Sequence, residues 1–367
     1  MDFAAIPRYI ERVLTGGEGP DLPDLPARAD RVVVILLDAF GSVFLERFGD
    51  HPVLRDLSLC PLSSQFPSTT AAHITTMHTG LPVAEHGIYE WNVYEPSLGR
   101  VITPLRFAFA GDREPDTLRA AGVDPRDLVP PGPCLYERLA SQGVVSLVHQ
   151  PDAFSPSTYD SAVIRAADIR PYRELADGLT DALRSVSALA RGYAYVYFHG
   201  IDLTGHVSGP SSDDFAAAVR YALDAVQTAL EQAQPPDDVL VLLTADHGQV
   251  DVDPEQMIWL DELHPPLRDL RLRPAGSARD VFLHVDDVEG TIAALSPHVE
   301  ALAVADMPEF AGAGPRLRER LGDVCVLPPP GRMAWLQSAA DLSSRFRGHH
   351  GGRTREEMST YLARLSR

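Results

Sequence analysis

The sequence has few cysteines and no long apolar run. Its three cysteines, Cys60, Cys134 and Cys325, lie far apart and form no CxxC pair. An odd number of scattered cysteines argues against a disulfide framework and against a thiolate zinc site. No stretch reaches the ~18–20 apolar residues of a membrane helix, so we expect no membrane span. Residues 1–4 lack the pattern of a secretory signal, which predicts a cytoplasmic protein.

Basic residues are also scarce compared with acidic ones. The chain has 32 Lys and Arg against 51 Asp and Glu, a formal charge of −19. Proteins that bind nucleic-acid backbones need a basic surface, so we expect no nucleic-acid duplex as partner. A small phosphorylated substrate remains compatible, because a bound cation reverses the local charge of its acidic ligands.

Continuous apolar runs at 31–37, 143–148, 194–198 and 239–243 alternate with helical patterns. Such runs are typical of strands buried on both faces, which predicts an α/β fold with a mainly parallel sheet between helices. We expect a single domain over 1–367. Within it, 100–135 is predicted to be an insertion over the sheet, and 256–335 a smaller α+β subdomain, because both are rich in proline and weakly periodic.

Acidic and imidazole side chains follow these strands. In open α/β sheets, ligands bind beyond the carboxyl ends of the strands. A single Asp or His there is usually a turn or surface residue, but a group of carboxylates and imidazoles suits zinc or a similar divalent ion. Divided three and three, the group predicts two metal sites. Its members are Asp38, Asp202, His206, Asp246, His247 and His350. Asp202 and His206 lie four residues apart in what we interpret as a glycine-containing loop.

Thr70 lies where Phe66-Pro67-Ser68-Thr69-Thr70 meets a short predicted helix that ends at Gly80. A hydroxyl at a helix N-terminus serves as a cap or, where an anion binds, as a nucleophile. Two metals nearby favour the nucleophile, since they suit in-line displacement at phosphorus and activate a weakly nucleophilic hydroxyl.

The residues quoted above, together with Thr79-Gly80-Leu81, His86-Gly87-Ile88, Asp246-His247-Gly248 and His350-Gly351-Gly352, resemble the alkaline phosphatase superfamily. The likeness is greatest to its nucleotide pyrophosphatase/phosphodiesterase branch. It implies a three-layer α/β/α fold, a two-zinc site and a phospho-threonine intermediate on Thr70. By position, Asp38, Asp246, His247 and the Thr70 oxygen would hold one ion, and Asp202, His206 and His350 the other.

Three positions depart from this family pattern. Ala71 replaces an aromatic residue that stacks on a nucleobase, and the asparagine that donates to a phosphate oxygen falls at Trp91, with Asn92 one place away as a substitute. The Lys-x-Arg pair of related monoesterases is replaced at 148–150 by Val-His-Gln. The alanine argues against a nucleotide as substrate, and the missing cationic pair favours diesters over dianionic monoesters.

The remaining alternatives are a phosphonate hydrolase or phosphomonoesterase on the same scaffold, or a degenerate metal-binding module. The neutral side chains near the site predict a mouth without cations, unless arginines fold back into it. The neutral residues are Tyr89, Trp91, Asn92, Tyr94 and His199, and the arginines are Arg100, Arg106 and Arg173. Tyr89, Trp91 and Tyr94 either line a leaving-group pocket or belong to the core.

Overall fold

The computed structural model describes residues 1–365. Its central sheet has seven strands, all of them parallel except Ser359–Arg364, which pairs antiparallel with both of its neighbours. In spatial order the strands are Ser58–Ser63, Ser359–Arg364, Val239–Thr244, Arg31–Leu37, Gly192–Phe198, Val145–Pro151 and Asp168–Tyr172.

The strand Arg31–Leu37 shows how the sheet sits between two helical layers. Because side chains alternate along a strand, Val32 and Val34 join one hydrophobic cluster, and Val33 and Ile35 join another. Helices contributing to the first cluster are Ala5–Thr15, Thr70–Thr79, Thr117–Ala120, Leu135–Ser141 and Asp160–Val163. Helices contributing to the second are Ser42–Arg47, Leu175–Ser187, Gly200–Ser208 and Asp213–Ala233. The three-layer α/β/α architecture predicted from the sequence is confirmed.

A second sheet lies within the segment 256–335. It is antiparallel and ordered Ala275–Ser277, Asp280–Leu283, Val324–Leu327 and Glu300–Ala303. Part of its core is a separate cluster that includes Val281 and Val326. The helices around it are Leu260–Leu263, Val288–Leu295 and Pro315–Arg320. The division of the chain into these units stays a prediction.

Shorter pieces complete the fold. A three-stranded sheet is formed by Val93–Glu95, Arg100–Thr103 and Ala108–Phe109, and two-stranded pairs join Val250–Asp251 to Gly348–His349 and Ile258–Trp259 to Ala334–Trp335. Single-turn helices cover Val83–His86 and Arg355–Met358. In the part of the chain described, no helix combines the length and the apolar character needed to cross a membrane.

Candidate active site and metal centre

The candidate ligands gather at the carboxyl edge of three neighbouring parallel strands. Asp38 directly follows Arg31–Leu37, and Asp246 and His247 follow Val239–Thr244. His350 is brought to the same place because Val250 pairs with His349 in a short antiparallel ladder. Gly248 is needed there, since a Cβ at this position would lie 2.1 Å from the Glu356 carbonyl oxygen.

Thr70 is the first residue of the helix Thr70–Thr79, and Gly80 ends that helix in the left-handed conformation, as predicted. Its Oγ1 lies 3.4 Å from each Asp38 carboxylate oxygen and 3.2 Å from His247 Nε2. These distances show that the Thr70 hydroxyl faces the candidate ligands. The Thr69 side chain, just before it, does not cap the helix.

Asp38, Asp246 and His247 form the first group, with ligand atoms all within 4.8 Å of one another. His247 Nε2 is 3.5 Å from both Asp38 Oδ1 and Asp246 Oδ2. Asp246 Oδ1 accepts hydrogen bonds from the backbone N–H of Ala39 and of His247, at 3.2 and 3.0 Å. Asp246 Oδ2 is buried and has no hydrogen-bond partner among the described residues, so it is available to a cation.

Asp202, His247 and His350 form the second group, again within 4.8 Å. His350 Nε2 is 3.5 Å from Asp202 Oδ1, and His206 Nε2 is 3.3 Å from Asp202 Oδ2. The prediction of a loop here is wrong: Asp202 and His206 lie on the helix Gly200–Ser208. Four residues apart on a helix, their side chains share one face, which brings both to the same side of the site.

The three candidate histidines are oriented in the same way. In each, Nδ1 lies against a backbone carbonyl oxygen: Gly348 for His206, Gly248 for His247 and Ser68 for His350, at 2.8, 3.0 and 2.8 Å. Donation from Nδ1–H to that oxygen leaves the Nε2 lone pair facing the carboxylates. This is the usual orientation of histidines that bind metal ions.

The charges of these groups also fit a divalent cation. Burial, followed by the nearby Asp246 and Asp202 carboxylates, holds the pKa of Asp38 well above its usual range. Burial, followed by His247, holds the pKa of His350 well below its usual range, so this ring is neutral. Asp202 and His206 behave differently: despite burial, the pKa of Asp202 is lowered and that of His206 is raised, because the two groups form an ion pair at 3.3 Å. Carboxylates and imidazoles together are the donor set that divalent ions of the zinc type bind.

A model of the type I phosphodiesterase/nucleotide pyrophosphatase family matches residues 32–353. The chain belongs to this family. Its members hydrolyse phosphodiester or pyrophosphate bonds, so the protein is a hydrolase of this class, and a small phosphorylated substrate fits it. A comparison with curated protein sequences found no match.

Solved structures share the fold. Murine ectonucleotide pyrophosphatase/phosphodiesterase 5 aligns with a TM-score of 0.70 and 17% identity over 91% of this chain and 87% of its own. An inactive threonine-to-alanine variant of the murine protein, in complex with AMP, aligns with a TM-score of 0.69, 16% identity and the same coverage. The human protein gives 0.64 and 15% identity, also over 91% and 87%.

Two buried side chains hydrogen-bond to Asp38 or to the backbone beside Thr70 in this phosphodiesterase-family site, and the sequence analysis assigned neither of them a role. The Tyr197 hydroxyl donates to Asp38 Oδ2 and so fixes the carboxylate. His73 Nε2 accepts from the Gln65 N–H at 2.9 Å, which leaves Nδ1–H to donate to the Thr69 carbonyl at 2.6 Å. Periodicity could mark both as buried, but their hydrogen bonds depend on the packing between strand and helix.

Asn92 lines the cavity beside the site, but its side chain already has partners. Its Oδ1 accepts from Thr103 Oγ1 at 2.9 Å, and its Nδ2 donates to the Gly276 carbonyl at 3.3 Å. One Nδ2 hydrogen stays available, so its donation to a phosphate oxygen stays a prediction.

The ring side chains predicted near the site separate into two sets, those that line the cavity and those that are packed elsewhere. Trp91 and His199 line the cavity, whereas Tyr89 is buried against Phe282, and Tyr94 packs on His284. His86 holds the turn that follows it, because its Nδ1 accepts from the Ile88 N–H at 3.0 Å.

A pair of buried carboxyl groups also lies beside the site. Glu90 lines the cavity and is 1% exposed. Asp280 is fully buried, with 0% exposure. Burial raises the pKa of Glu90 to about 7, and burial followed by the charge of Glu90 holds the pKa of Asp280 well above its usual range. Two carboxyl groups this close cannot both ionise readily, so the pair retains a proton. The residues come from separate segments, and no local pattern signals the pair.

Arginines line the cavity, which is the exception that the sequence analysis allowed to a mouth without cations. Arg106 lines the cavity from the 100–135 segment, with its guanidinium donating to the carbonyls of Asp112 and Arg113. Other arginines line it too: Arg113, Arg273 and Arg345. Arg100 instead stacks on Phe109, and Arg173 pairs with Asp152.

Proposed function

We propose that this protein is a phosphodiesterase that uses Thr70 as a covalent nucleophile and two divalent zinc ions as cofactors. The observation that carries the proposal is the position of Thr70 Oγ1, within 3.4 Å of Asp38 and 3.2 Å of His247 at a helix N-terminus. The description of a threonine-to-alanine variant of the murine relative as inactive supports this role.

Asp38, Asp246 and His247 would hold one ion, and Asp202, His206 and His350 the other. When bound, the ions would supply charge neutralisation at the attacking and leaving oxygens. The Thr70 oxygen forms a bond to phosphorus as the P–O bond to the leaving alcohol breaks. Water then attacks phosphorus, the bond to Thr70 breaks, and a phosphate monoester is released. The Thr70 hydroxyl gives its proton to solvent in the first step, and the leaving oxygen takes one from solvent. In the second step, one proton of the attacking water returns to the Thr70 oxygen and the other stays on the phosphate monoester.

The preference for diesters rests on the strand Val145–Pro151. A monoester dianion needs a cationic donor for its extra charge. Gln150 lines the cavity from this strand but is neutral and bound to Ser155, and His149 pairs with Asp181. These contacts leave the strand without a free cation to offer a dianion.

The test is a comparison of rates on metal-loaded protein with a shared leaving group. We expect a higher kcat/KM for bis(4-nitrophenyl) phosphate than for 4-nitrophenyl phosphate, with a dinucleotide pyrophosphate and phosphonoacetate as further substrates. A preference for the monoester would mean that the cavity arginines bind a dianionic phosphate. A preference for phosphonoacetate would favour the phosphonate hydrolase. Full metal loading without any turnover would favour the degenerate module.

A further inference from the structure

The cavity beside Thr70 is larger than a phosphate group requires. Its volume is about 1690 Å³, and it extends from Thr70 past Phe154 and Leu203 to Leu342. Pockets for small molecules usually occupy ~300–1,000 Å³. There is space for a substantial second ester group beyond the reacting phosphate.

The walls of this cavity collect exposed apolar side chains. Over residues 1–365, nine large hydrophobic side chains are exposed, and four of them line this one cavity. They are Trp91, Phe154, Leu203 and Leu342, with exposures of 41%, 43%, 52% and 76%. Single exposed apolar residues are ordinary on protein surfaces, but a group around one concave site indicates a ligand surface.

The helix Gly200–Ser208 connects this apolar wall to the metal site. Asp202 and His206 turn towards the metal site, and the next position round the helix, Leu203, is exposed in the cavity. On the opposite side of the helix from the solvent, Ile201 is buried. The apolar wall therefore begins one residue from a candidate ligand.

Aromatic rings without charge extend the wall. The Phe154 ring meets the His199 ring edge-on with centroids 5.1 Å apart, and it lies 6.2 Å from Tyr197. Burial lowers the pKa of His199, so its ring is neutral near pH 7. Ala71 is buried and does not line the cavity, so the position that carries a base-stacking ring in the family pattern offers none here.

Charged groups elsewhere in the cavity suit an anionic second group less well. Two of the four arginines that line the cavity, Arg106 and Arg273, already donate to backbone carbonyls, those of Asp112 and Ala339 among them. Carboxylates also line the cavity, at Asp112, Asp116 and Asp341, and they offset the arginines.

We propose that this enzyme acts on phosphodiesters whose second ester group is apolar, an alkyl chain or an aryl ring that lies on Phe154 and Leu203. The inference rests on the proposed phosphodiesterase function and adds the substrate class. An apolar group on this wall would remove exposed hydrophobic surface of both protein and substrate from water.

The test is a series of 4-nitrophenyl alkyl phosphates with methyl, butyl and octyl groups, used below the concentration at which the octyl ester forms micelles. The leaving group is constant, so differences report the alkyl group. Each methylene that becomes fully buried is worth about 0.8 kcal/mol, or roughly fourfold in kcat/KM. We expect kcat/KM to rise along the series, with a lower octyl-to-methyl ratio in Leu203→Ser and no change of this ratio in Val145→Ser, an exposed apolar residue outside the cavity.

A flat series with measurable methyl ester hydrolysis would overturn the inference and leave the phosphodiesterase function standing. A nucleoside or carboxyalkyl ester that exceeds the octyl ester would overturn it in favour of a base or an anion. Absence of hydrolysis for every ester would reject the phosphodiesterase function and, with it, the inference.

Discussion

The imidazole rings of His247 and His350 stack with centroids 3.8 Å apart and 19° between their planes. His247 belongs to both groups of candidate ligands, and His350 to the second. The two groups are therefore adjacent, and one phosphate can reach both.

Replacement of Asp246 by alanine should remove metal. This residue contributes a buried oxygen without a hydrogen-bond partner in the described structure, so its loss leaves the first group one ligand short. Elemental analysis of protein purified without chelator should give about two ions per wild-type chain and fewer in the variant. Asp306→Ala, at an exposed position, is the control. Fully active wild-type protein without metal would refute the two-metal site.

Thr70→Ala should lower kcat by roughly 10³-fold or more, with metal content and melting temperature retained, because the covalent route is lost. Thr69→Ala should cost at most about tenfold, since the Thr69 side chain does not cap the helix. Steady-state rates on the diester measure both. The reverse order would move the nucleophile to Thr69.

Tyr197→Phe should weaken metal binding about 10- to 100-fold, because the Asp38 carboxylate loses the donor that fixes it. Tyr195→Phe is a matched control: the same strand presents this buried hydroxyl, which has no partner among residues 1–365. Zinc titration against a competing chelator gives both affinities. Equal losses in the two variants would mean that the Tyr197 hydrogen bond does not tune the site.

Glu90→Gln should change the pH dependence of stability. Because burial raises the pKa of Glu90 from 4.5 to about 7, the folded state binds more protons than the unfolded state between these values. This group's contribution to stability is present below pH 4.5 and is lost as pH rises through about 7. The variant should gain roughly 1 kcal/mol or more over the wild type at pH 8 relative to pH 5.

Urea unfolding of chelator-treated protein at both pH values measures that gain. Glu85→Gln, at an exposed position, is the control and should show no such gain in stability. Parallel behaviour of wild type and Glu90→Gln would mean that Glu90 ionises normally in the folded protein.

Local pattern was sufficient to predict the strand Arg31–Leu37 and the helix from Thr70 to Gly80. The apolar run of the strand, and the proline and glycine that bound the helix, are features of consecutive residues. The strand and the helix are both present in the structure. Residue type and the family resemblance selected the candidate ligands, and the structure brings them together, whereas their binding of metal stays a prediction. Their convergence followed from strand order, which a parallel sheet strongly constrains.

Features that depend on distant partners were not predictable in this way. Residues 354–357 predict a capped final helix, and Thr354 does cap a helix, but that helix is one turn long and gives way to the strand Ser359–Arg364. The strand forms because Tyr361 and Leu362 find partners at Pro61 and Cys60, about three hundred residues earlier. The Glu90–Asp280 pair likewise depends on where the second sheet lies.

The strand Ser359–Arg364 has a consequence for biosynthesis. It fills the place between Ser58–Ser63, among the earliest strands to leave the ribosome, and Val239–Thr244. Until it is translated, Ser58–Ser63 lacks its sheet neighbour for most of synthesis, and Val239–Thr244 has one unpaired edge from the time it is made. A nascent chain can thus carry every candidate ligand before its sheet is complete. Protection of those edges by a chaperone would matter most in that interval.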